Sequence, residues 1–259
     1  MNLELQGKVA IVGGGSQGIG FGIARVLAGE GATVVISARR QVELEAAAAE
    51  LRQRTGATIV PIPADCRRGE DCKRVVAEVV ARCGGLDILV NNDGAPPLGD
   101  ALSFDDTAWE RAVEQNLLYV ARMVREAVPH MRARGGGSIL NVTAVSAIQP
   151  IAGFALSVST WSAVIGYAKT LSLEIGRDGI NVNTLCPGYI DTSRLRKVFA
   201  AGDEGADAVQ ERLRAEIPMN RIGSVDDVAN LVALLVSPKG SYITGTAIQV
   251  DGGLLRATR

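Results

Sequence analysis

The chain has 259 residues, 47% of them hydrophobic, and its 27 Lys and Arg residues nearly balance 28 Asp and Glu residues. This composition supplies ample apolar surface for a core, and the basic pairs are too scattered to predict nucleic-acid binding. No run reaches about 18 consecutive apolar residues, and the first residues lead directly into a strand-like segment. We therefore expect neither a membrane span nor a secretion signal.

The cysteines and the single histidine indicate which kinds of disulfide, metal site and catalytic triad to expect. Cys66, Cys72, Cys83 and Cys186 form no Cys-x-x-Cys pair and have no neighbouring histidine in the sequence. This pattern predicts free thiols in a reducing, cytoplasmic compartment and no metal site. The single histidine, His130, stands near the end of a helical stretch, and no serine elbow accompanies it, so we do not predict a serine hydrolase.

Strand and helix patterns alternate along the chain. Apolar, β-branched runs predict seven strands, at 9–12, 33–37, 59–62, 86–91, 138–142, 180–185 and 247–250. Helical spacing predicts helices at 18–29, 41–55, 70–82, 105–133, 156–177 and 225–237. Strands that are apolar on successive positions are typical of sheets covered on both faces. We therefore predict one α/β domain over residues 1–259, with a mostly parallel sheet between two layers of helices.

Two segments, 193–221 and 156–177, have compositions that suggest particular roles. Segment 193–221 is charged and rich in alanine, with Gly202 and Gly205, and predicts either a flexible lid or a surface helical hairpin. The predicted helix at 156–177 is apolar nearly all round, so it needs two partners that bury it. One partner is the sheet, and a second subunit is the other, which predicts a homo-oligomer.

A glycine-rich loop follows the first strand, in the sequence VAIVGGGSQGIG. Glycines at this place let the backbone turn tightly and approach a pyrophosphate, whose charge is favoured at a helix N-terminus. The position of the loop between a strand and a helix therefore predicts a dinucleotide site. Its predicted cofactor-binding residues are Gly14, Ser16, Gln17, Gly18, Ile19 and Gly20.

The end of the second strand, VVISARR, indicates which dinucleotide is bound. A free ribose 2′-hydroxyl is usually held by an acidic residue roughly 20 residues after the glycines. Arg39 stands there instead, and a guanidinium suits a 2′-phosphate. We therefore predict NADP(H) rather than NAD(H). Asp65, which follows the third strand, is either a hydrogen-bond partner of the adenine amino group or a turn residue.

Further motifs give the chain a family resemblance. They are LVNNDG at 89–94, NLL from Asn116, GGSILNV at 136–142, INVNTLCPGYIDT at 180–192 and GTAIQVDGG at 245–253. Together with the glycine loop they resemble the short-chain dehydrogenase/reductase family, and most of all its ketoacyl-carrier-protein reductases. The resemblance implies a Rossmann-type, doubly wound domain with strand order 3-2-1-4-5-6-7, an oxidoreductase acting on a small molecule, and a homotetramer or homodimer. It places Asn92 and Gly94 at the adenosine ribose, and Pro187, Gly188, Ile190 and Thr192 at the nicotinamide carboxamide.

The catalytic end departs from the family pattern of Ser, Tyr, Lys and Asn. Aligned without gaps on the Pro-Gly pair, the chain has Ala144 at the Ser position, Ser157 at the Tyr position and Trp161 at the Lys position. Asn116 alone is retained. In the family the Lys cation lowers the pKa of the Tyr and grips the nicotinamide ribose. An alkyl hydroxyl is a far weaker acid than a phenol, so we predict that ordinary ketone reduction is slowed on the order of 10²–10⁴-fold.

Asp93 and Trp161, which differ from the family pattern, each have two possible roles. Asp93 stands where the family usually has Ala, and is either a base or hydroxyl-binding group near the nicotinamide ribose, or one half of a solvent-facing Asp-Gly turn. Trp161 either fills the volume of the missing Lys or offers an aromatic wall to a substrate. The nearby hydroxyls of Ser146, Ser159 and Thr160 are interpreted as packing or helix-start groups.

Three hypotheses follow from this combination. The protein transfers hydride to or from a substrate that needs no strong general acid, such as an iminium or an activated C=C, or slowly with a carbonyl. Alternatively, it binds NADP(H) as an inactive sensor or as the partner subunit of an active relative. A non-redox reaction in the same cleft is the weakest hypothesis, because such a cleft need not keep the nucleotide-binding residues together.

Overall fold

Seven parallel strands form a single sheet in the computed structural model, which describes residues 1–94, 96–199 and 205–257. The strands are β1 (Val9–Gly13), β2 (Thr33–Ala38), β3 (Ile59–Pro63), β4 (Ile88–Asn91), β5 (Gly137–Val142), β6 (Ile180–Pro187) and β7 (Ala247–Val250). Their spatial order is β3-β2-β1-β4-β5-β6-β7, and all neighbouring pairs are parallel. The predicted Rossmann-type, seven-stranded sheet is confirmed.

Helices connect the strands. They are α1 (Gly18–Gly29), α2 (Gln41–Thr55), α3 (Gly69–Cys83), α4 (Asp106–Val113), α5 (Tyr119–Ala133), α6 (Ala155–Ile175), α7 (Ser193–Phe199), α8 (Ala206–Glu216) and α9 (Val225–Leu235). None of the described helices combines the length and apolarity needed to cross a bilayer.

Both faces of the sheet are covered by helices. Successive strand side chains point to opposite faces, so Ile11 of β1 joins one buried cluster and Val12 joins the other. The first cluster also contains apolar side chains of α3, α5 and α6, and the second contains those of α1, α2 and α9. Because each face needs its own apolar set, the strands read as continuous hydrophobic runs in the sequence.

The helix predicted at 105–133 is interrupted. α4 ends at Val113, a π-helical turn spans Glu114–Leu118, and α5 begins at Tyr119. A π-helical turn inserts a residue into the helix, and such turns are frequent at functional sites. Asn116, the retained member of the family's catalytic set, lies in this turn.

The predicted lid contains two short helices, α7 and α8, whereas residues 200–204 lie outside the described residues. Val209 and Leu213 of α8 are buried against Tyr189, Leu195 and Ile222. The segment is therefore helical on both sides of the undescribed stretch. Its opening and closing stay a prediction.

Helix α1 packs closely on α9 at Gly22. A Cβ at residue 22 would overlap the side chain of Val225. We expect Gly22→Ala to lower the free energy of unfolding by about 1–3 kcal/mol through overpacking, and Val225→Ala to restore most of that loss. Urea unfolding of the single and double variants measures this.

Gly29 in the same helix provides the matched control, because a Cβ there meets no other atom within 4 Å. Gly29→Ala should leave stability unchanged or raise it by up to about 1 kcal/mol. Equal losses in the two alanine variants would contradict close packing at residue 22.

Candidate active site

The glycine loop lies at the carboxyl end of β1, where the strand order reverses. β1 has β2 on one side and β4 on the other, and open α/β sheets bind their ligands at such switch points. Within the described residues, the Gln17 side chain does not cap α1. The first-turn N–H groups at Gly18, Ile19 and Gly20 are therefore free to bind an anion.

Because its glycines carry no side chain, this loop can pack closely on Asn92. Gly14 has a positive φ of 60°, and a Cβ there would lie 2.5 Å from the Asn92 carbonyl oxygen. A Cβ at Gly20 would overlap the carbonyl oxygen of Gly14 and lie 2.7 Å from the Asn92 amide nitrogen. Asn92 Nδ2 in turn donates a hydrogen bond to the Gly13 carbonyl, over 3.2 Å. The loop and the end of β4 are thus one tightly packed unit.

The segment after β6 reaches the same loop from the other side. The Thr192 methyl group lies 3.5 Å from the place where a Cβ of Gly18 would stand. The Ser193 hydroxyl donates to Gln17 Oε1 over 3.3 Å. Pro187 ends β6, and the Gly188 N–H donates to the Val250 carbonyl. The structure therefore brings both predicted ends of the dinucleotide site together.

Gly94 and Asn116 are also adjacent. A Cβ at Gly94 would overlap the Oδ1 atom of Asn116, so glycine is required for this approach. Asn116 Nδ2 donates to the Thr160 hydroxyl over 2.7 Å, and this hydroxyl donates to the Leu156 carbonyl over 2.7 Å. The Asn116 side chain is thereby held by α6.

A small pocket gathers the adenosine-side candidates. Its lining residues are Arg39, Asp65, Cys66, Arg67, Asp93 and Gln115. The sequence analysis singled out three of these for the site, and missed the other three. Cys66 and Arg67 directly follow Asp65, and Gln115 directly precedes Asn116, so their adjacency to candidate residues was the available signal.

Asp65 is engaged within the protein. Arg67 Nε donates to Oδ1 over 2.8 Å, and Arg67 Nη2 donates to Oδ2 over 2.5 Å. The hydrogen bond from Arg67 lowers the pKa of Asp65, against the opposing effect of burial. The carboxylate expected to contact adenine is therefore already paired with a neighbouring guanidinium.

Asp93 lies in this pocket with Arg39 and Asp65. Burial raises the pKa of Asp93 to about 6; the charges of Arg39 and Arg67 oppose this shift, and that of Asp65 adds to it. The sequence analysis expected a group near the nicotinamide ribose or a solvent-facing turn. The carboxyl lines the pocket that contains Arg39 and Asp65 and is partly buried, and its role toward a nucleotide stays a prediction.

The residues at the three positions where the family resemblance implies Ser, Tyr and Lys supply no acid. Ser157 is fully buried at 0% exposure, and Trp161 is 8% exposed. Ala144 precedes a short 3₁₀ turn that packs on α6. The buried indole matches the interpretation that Trp161 fills space rather than lining an open wall.

Three buried polar atoms near these positions have no hydrogen-bond partner among the described residues. They are Asn116 Oδ1, Ser146 Oγ and Ser157 Oγ. Thr143, by contrast, donates to the Leu185 carbonyl over 3.1 Å and contacts Cys186 Sγ. Unpaired buried polar atoms are costly, so this place suits water or a polar ligand.

A second cleft, of about 580 Å³, adjoins the predicted carboxamide-binding segment. Its lining residues are Tyr189, Ile190, Met219, Arg221, Gly223, Asp227, Gln249, Val250, Asp251, Gly252 and Gly253. Arg221 holds Asp227 by two hydrogen bonds of 2.7 and 2.9 Å, which lowers the pKa of Asp227. Met219 of the predicted lid segment and Ile190 both line this cleft. Across the described part of the chain, no three His, Cys, Asp or Glu side chains cluster as metal ligands.

This fold and this loop define a doubly wound protein of the dinucleotide-binding class. Residues 14–255 match the family model described as enoyl-(acyl carrier protein) reductase. The chain belongs to the short-chain dehydrogenase/reductase family.

Curated relatives are similar over nearly the whole chain. Dehydrogenase/reductase SDR family member 4 of Homo sapiens is 37% identical over 250 residues, which cover 96% of this chain and 88% of the relative. The 3-oxoacyl-acyl-carrier-protein reductase FabG of Staphylococcus epidermidis is 33% identical over 248 residues, which cover 95% and 98% of the two chains.

A solved structure is also similar to nearly the whole chain. L-sorbose reductase of Gluconobacter frateurii, complexed with NADPH and L-sorbose, superposes with a TM-score of 0.96 at 34% identity, covering 99% of this chain and 100% of that one.

The unpaired hydroxyl of Ser157 generates a stability prediction. We expect Ser157→Ala to leave the free energy of unfolding within about 0.5 kcal/mol or to raise it, because no protein hydrogen bond is lost. Thr160→Val should lower it by about 1–3 kcal/mol, because the Asn116 amide loses its acceptor. Urea unfolding compares the two. A Ser157→Ala loss as large as that of Thr160→Val would instead mean that the Ser157 hydroxyl binds an ordered water.

Proposed function

We propose that this protein binds NADP(H) and is an oxidoreductase that transfers hydride to or from a small molecule by an atypical active site. The observation that carries the proposal is the close packing of the glycine loop on Asn92, beside the uncapped N-terminus of α1. The chain keeps this cradle although it has replaced three catalytic positions. The similar L-sorbose reductase structure holds NADPH, which supports the same cofactor here.

The residues present fit a dinucleotide. The first turn of α1 would hold the pyrophosphate, and Arg39 would bind the 2′-phosphate at the end of β2. Asn92 and Gly94 would flank the adenosine ribose, and the segment from Pro187 to Thr192 would flank the carboxamide. The bound cofactor would supply or accept hydride, and the protein would position it.

The substrate class follows from what the site lacks. Ser157 is buried and far less acidic than a phenol, and the Asn116 amide is held by Thr160. An iminium carries its own positive charge, and an activated C=C can be protonated afterwards by solvent, so neither needs a strong acid from the protein. A carbonyl would react slowly, through water or an acid of its own.

A second function has its own support. The complete burial of Ser157 and the buried indole of Trp161 leave little room for chemistry at the family's acid position. An NADP(H) sensor, or the inactive partner of an active relative, would need the nucleotide cradle and no acid. Turnover with bound cofactor distinguishes the two functions.

We extend the proposal to a single-domain, cytoplasmic homotetramer or homodimer. Leu173 on α6 is 72% exposed, and Tyr167 of the same helix is partly buried. A second subunit that covered these side chains would bury apolar surface now in water. Light scattering of the purified chain tests the assembly.

Arg39 should determine the preference for NADPH. We expect Arg39→Ala to weaken NADPH binding about 10–100-fold, because one charge-assisted pairing with the 2′-phosphate is lost, and to change NADH binding less than about twofold. Titration followed by Trp fluorescence measures both affinities. Arg40→Ala is the charge-matched control, because Arg40 pairs with Glu43 and lies outside the pocket lining. Failure of both nucleotides to bind at millimolar concentration would refute the proposed function.

Restoring the family residues should restore ketone reduction. We expect the triple variant Ala144→Ser, Ser157→Tyr, Trp161→Lys to reduce ketones with NADPH at least about 100-fold faster than the unmodified chain. NADPH oxidation is followed by absorbance, with iminium, enone and ketone substrates in parallel.

Retained NADPH affinity in the triple variant is the control for folding. The unmodified chain should reduce an iminium at least about 100-fold faster than a ketone, because only the ketone needs the missing acid. Bound NADPH without turnover of any substrate would favour the sensor or partner function.

A further inference from the structure

We propose that Asp93 sets the nucleotide selectivity of this site, because its carboxylate competes with the 2′-phosphate of NADP(H) for Arg39. The site then binds NADP(H) tightly when Asp93 is neutral and less tightly when it is ionised. This inference rests on the proposed binding of NADP(H).

The pocket supplies the geometry for this competition. Two of its four charged side chains satisfy each other, since Arg67 holds Asp65 through both carboxylate oxygens. Arg39 and Asp93 remain, and neither makes a side-chain hydrogen bond or an ion pair within 4 Å to any residue that the structure describes. A carboxylate and a guanidinium that lack partners thus face one small pocket.

The charge of the pocket depends on one proton. With Asp93 ionised, two carboxylates and two guanidiniums cancel; with Asp93 neutral, the pocket carries one net positive charge. A 2′-phosphate is attracted to the second state and is repelled by the nearby carboxylate in the first. NAD(H) has no phosphate at this place and gains little from the change.

Other titratable groups around Asp93 stay in one state near neutral pH. Burial and contact with Cys72 raise the pKa of the Cys66 thiol, so Cys66 is neutral. Burial raises the pKa of Tyr119, which lies close to Asp93, so Tyr119 is neutral too. The paired Asp65 is ionised, because its pKa is lowered. Asp93 itself has a pKa of about 6 and titrates in the accessible range.

The sign of the pH dependence follows from linkage. A phosphate bound beside Asp93 favours the neutral carboxyl, so binding of NADPH raises the pKa of Asp93 and takes up a proton. The contribution of Asp93 therefore weakens NADPH binding as pH rises through about 6. The 2′-phosphate has its own ionisation near pH 6, which acts in the opposite direction. A comparison with an Asp93 variant removes this shared effect.

The experiment is calorimetric titration of the full chain and of Asp93→Asn with NADPH and NADH, at about pH 5.5 and about pH 8. The Asn side chain keeps the shape and cannot ionise. At the higher pH we expect the variant to bind NADPH about tenfold more tightly than the unmodified chain, the factor that one unit of pKa coupling gives. At the lower pH the two affinities should converge, and NADH affinity should change less than about twofold throughout.

Two further variants make the test specific. Asp100→Asn removes an exposed carboxylate outside the pocket and should leave both affinities unchanged, which controls for net charge. A double-mutant cycle of Arg39→Ala with Asp93→Asn should give a smaller gain in NADPH affinity from Asp93→Asn when Arg39 is absent, because only the direct repulsion between carboxylate and phosphate then remains. Asp93→Ala provides a second substitution should Asp93→Asn fold poorly.

The outcomes separate this inference from the proposed function. Equal NADPH affinity of the unmodified chain and Asp93→Asn at the higher pH would overturn the inference and leave NADP(H) binding intact. Equal gains for NADPH and NADH would also overturn it, because the carboxylate would then act on the shared part of the nucleotide. Absence of binding in every variant would refute the proposed function itself.

Discussion

The close approach of the glycine loop to Asn92 is the contact on which the site depends. A side chain at Gly14 or Gly20 would enter the space of the Asn92 backbone, its amide group or the loop itself. The Asn92 amide hydrogen-bonds back to Gly13, so the end of β4 and the end of β1 are fixed to each other. This packing turns α1 so that its uncapped N-terminus opens at the switch point of the sheet. The anion site that we propose there is therefore formed by the packing of the chain itself.

The two halves of the cleft are formed by different parts of the chain and can vary independently. The glycine loop has positions that tolerate no side chain. Ser157, Trp161 and Ala144 stand where the family resemblance implies a phenol, an ammonium group and a hydroxyl. This independence is physically possible because the loop packs on β4, while the substituted residues lie on α6 and after β5. Asn116 survives between the halves, held by the Thr160 hydroxyl and by its approach to Gly94.

Local patterns predicted much of the fold and less of the site. Each strand was predicted to within a residue or two, because burial on both faces demands an apolar side chain at nearly every position. The helix at 105–133 was predicted as continuous, since a π-helical turn at Glu114–Leu118 keeps helical spacing nearly unchanged. The pairing of Asp65 with Arg67 was missed. Two charged residues two positions apart in a loop meet or diverge according to the turn between them, which the sequence does not specify.

The sequence by itself determined the parallel sheet, the glycine loop and the residue types at 144, 157 and 161, since each follows from residue type and from spacing along the chain. Tertiary structure alone decided the surroundings of Asp93. Its carboxyl lines one pocket with Arg39 from the end of β2 and Asp65 from the end of β3, because parallel strands end at the same edge of the sheet. Tertiary packing of α6 also buried Ser157 completely. Charge and exposure at these positions arise from residues distant in sequence, and only the folded chain brings them together.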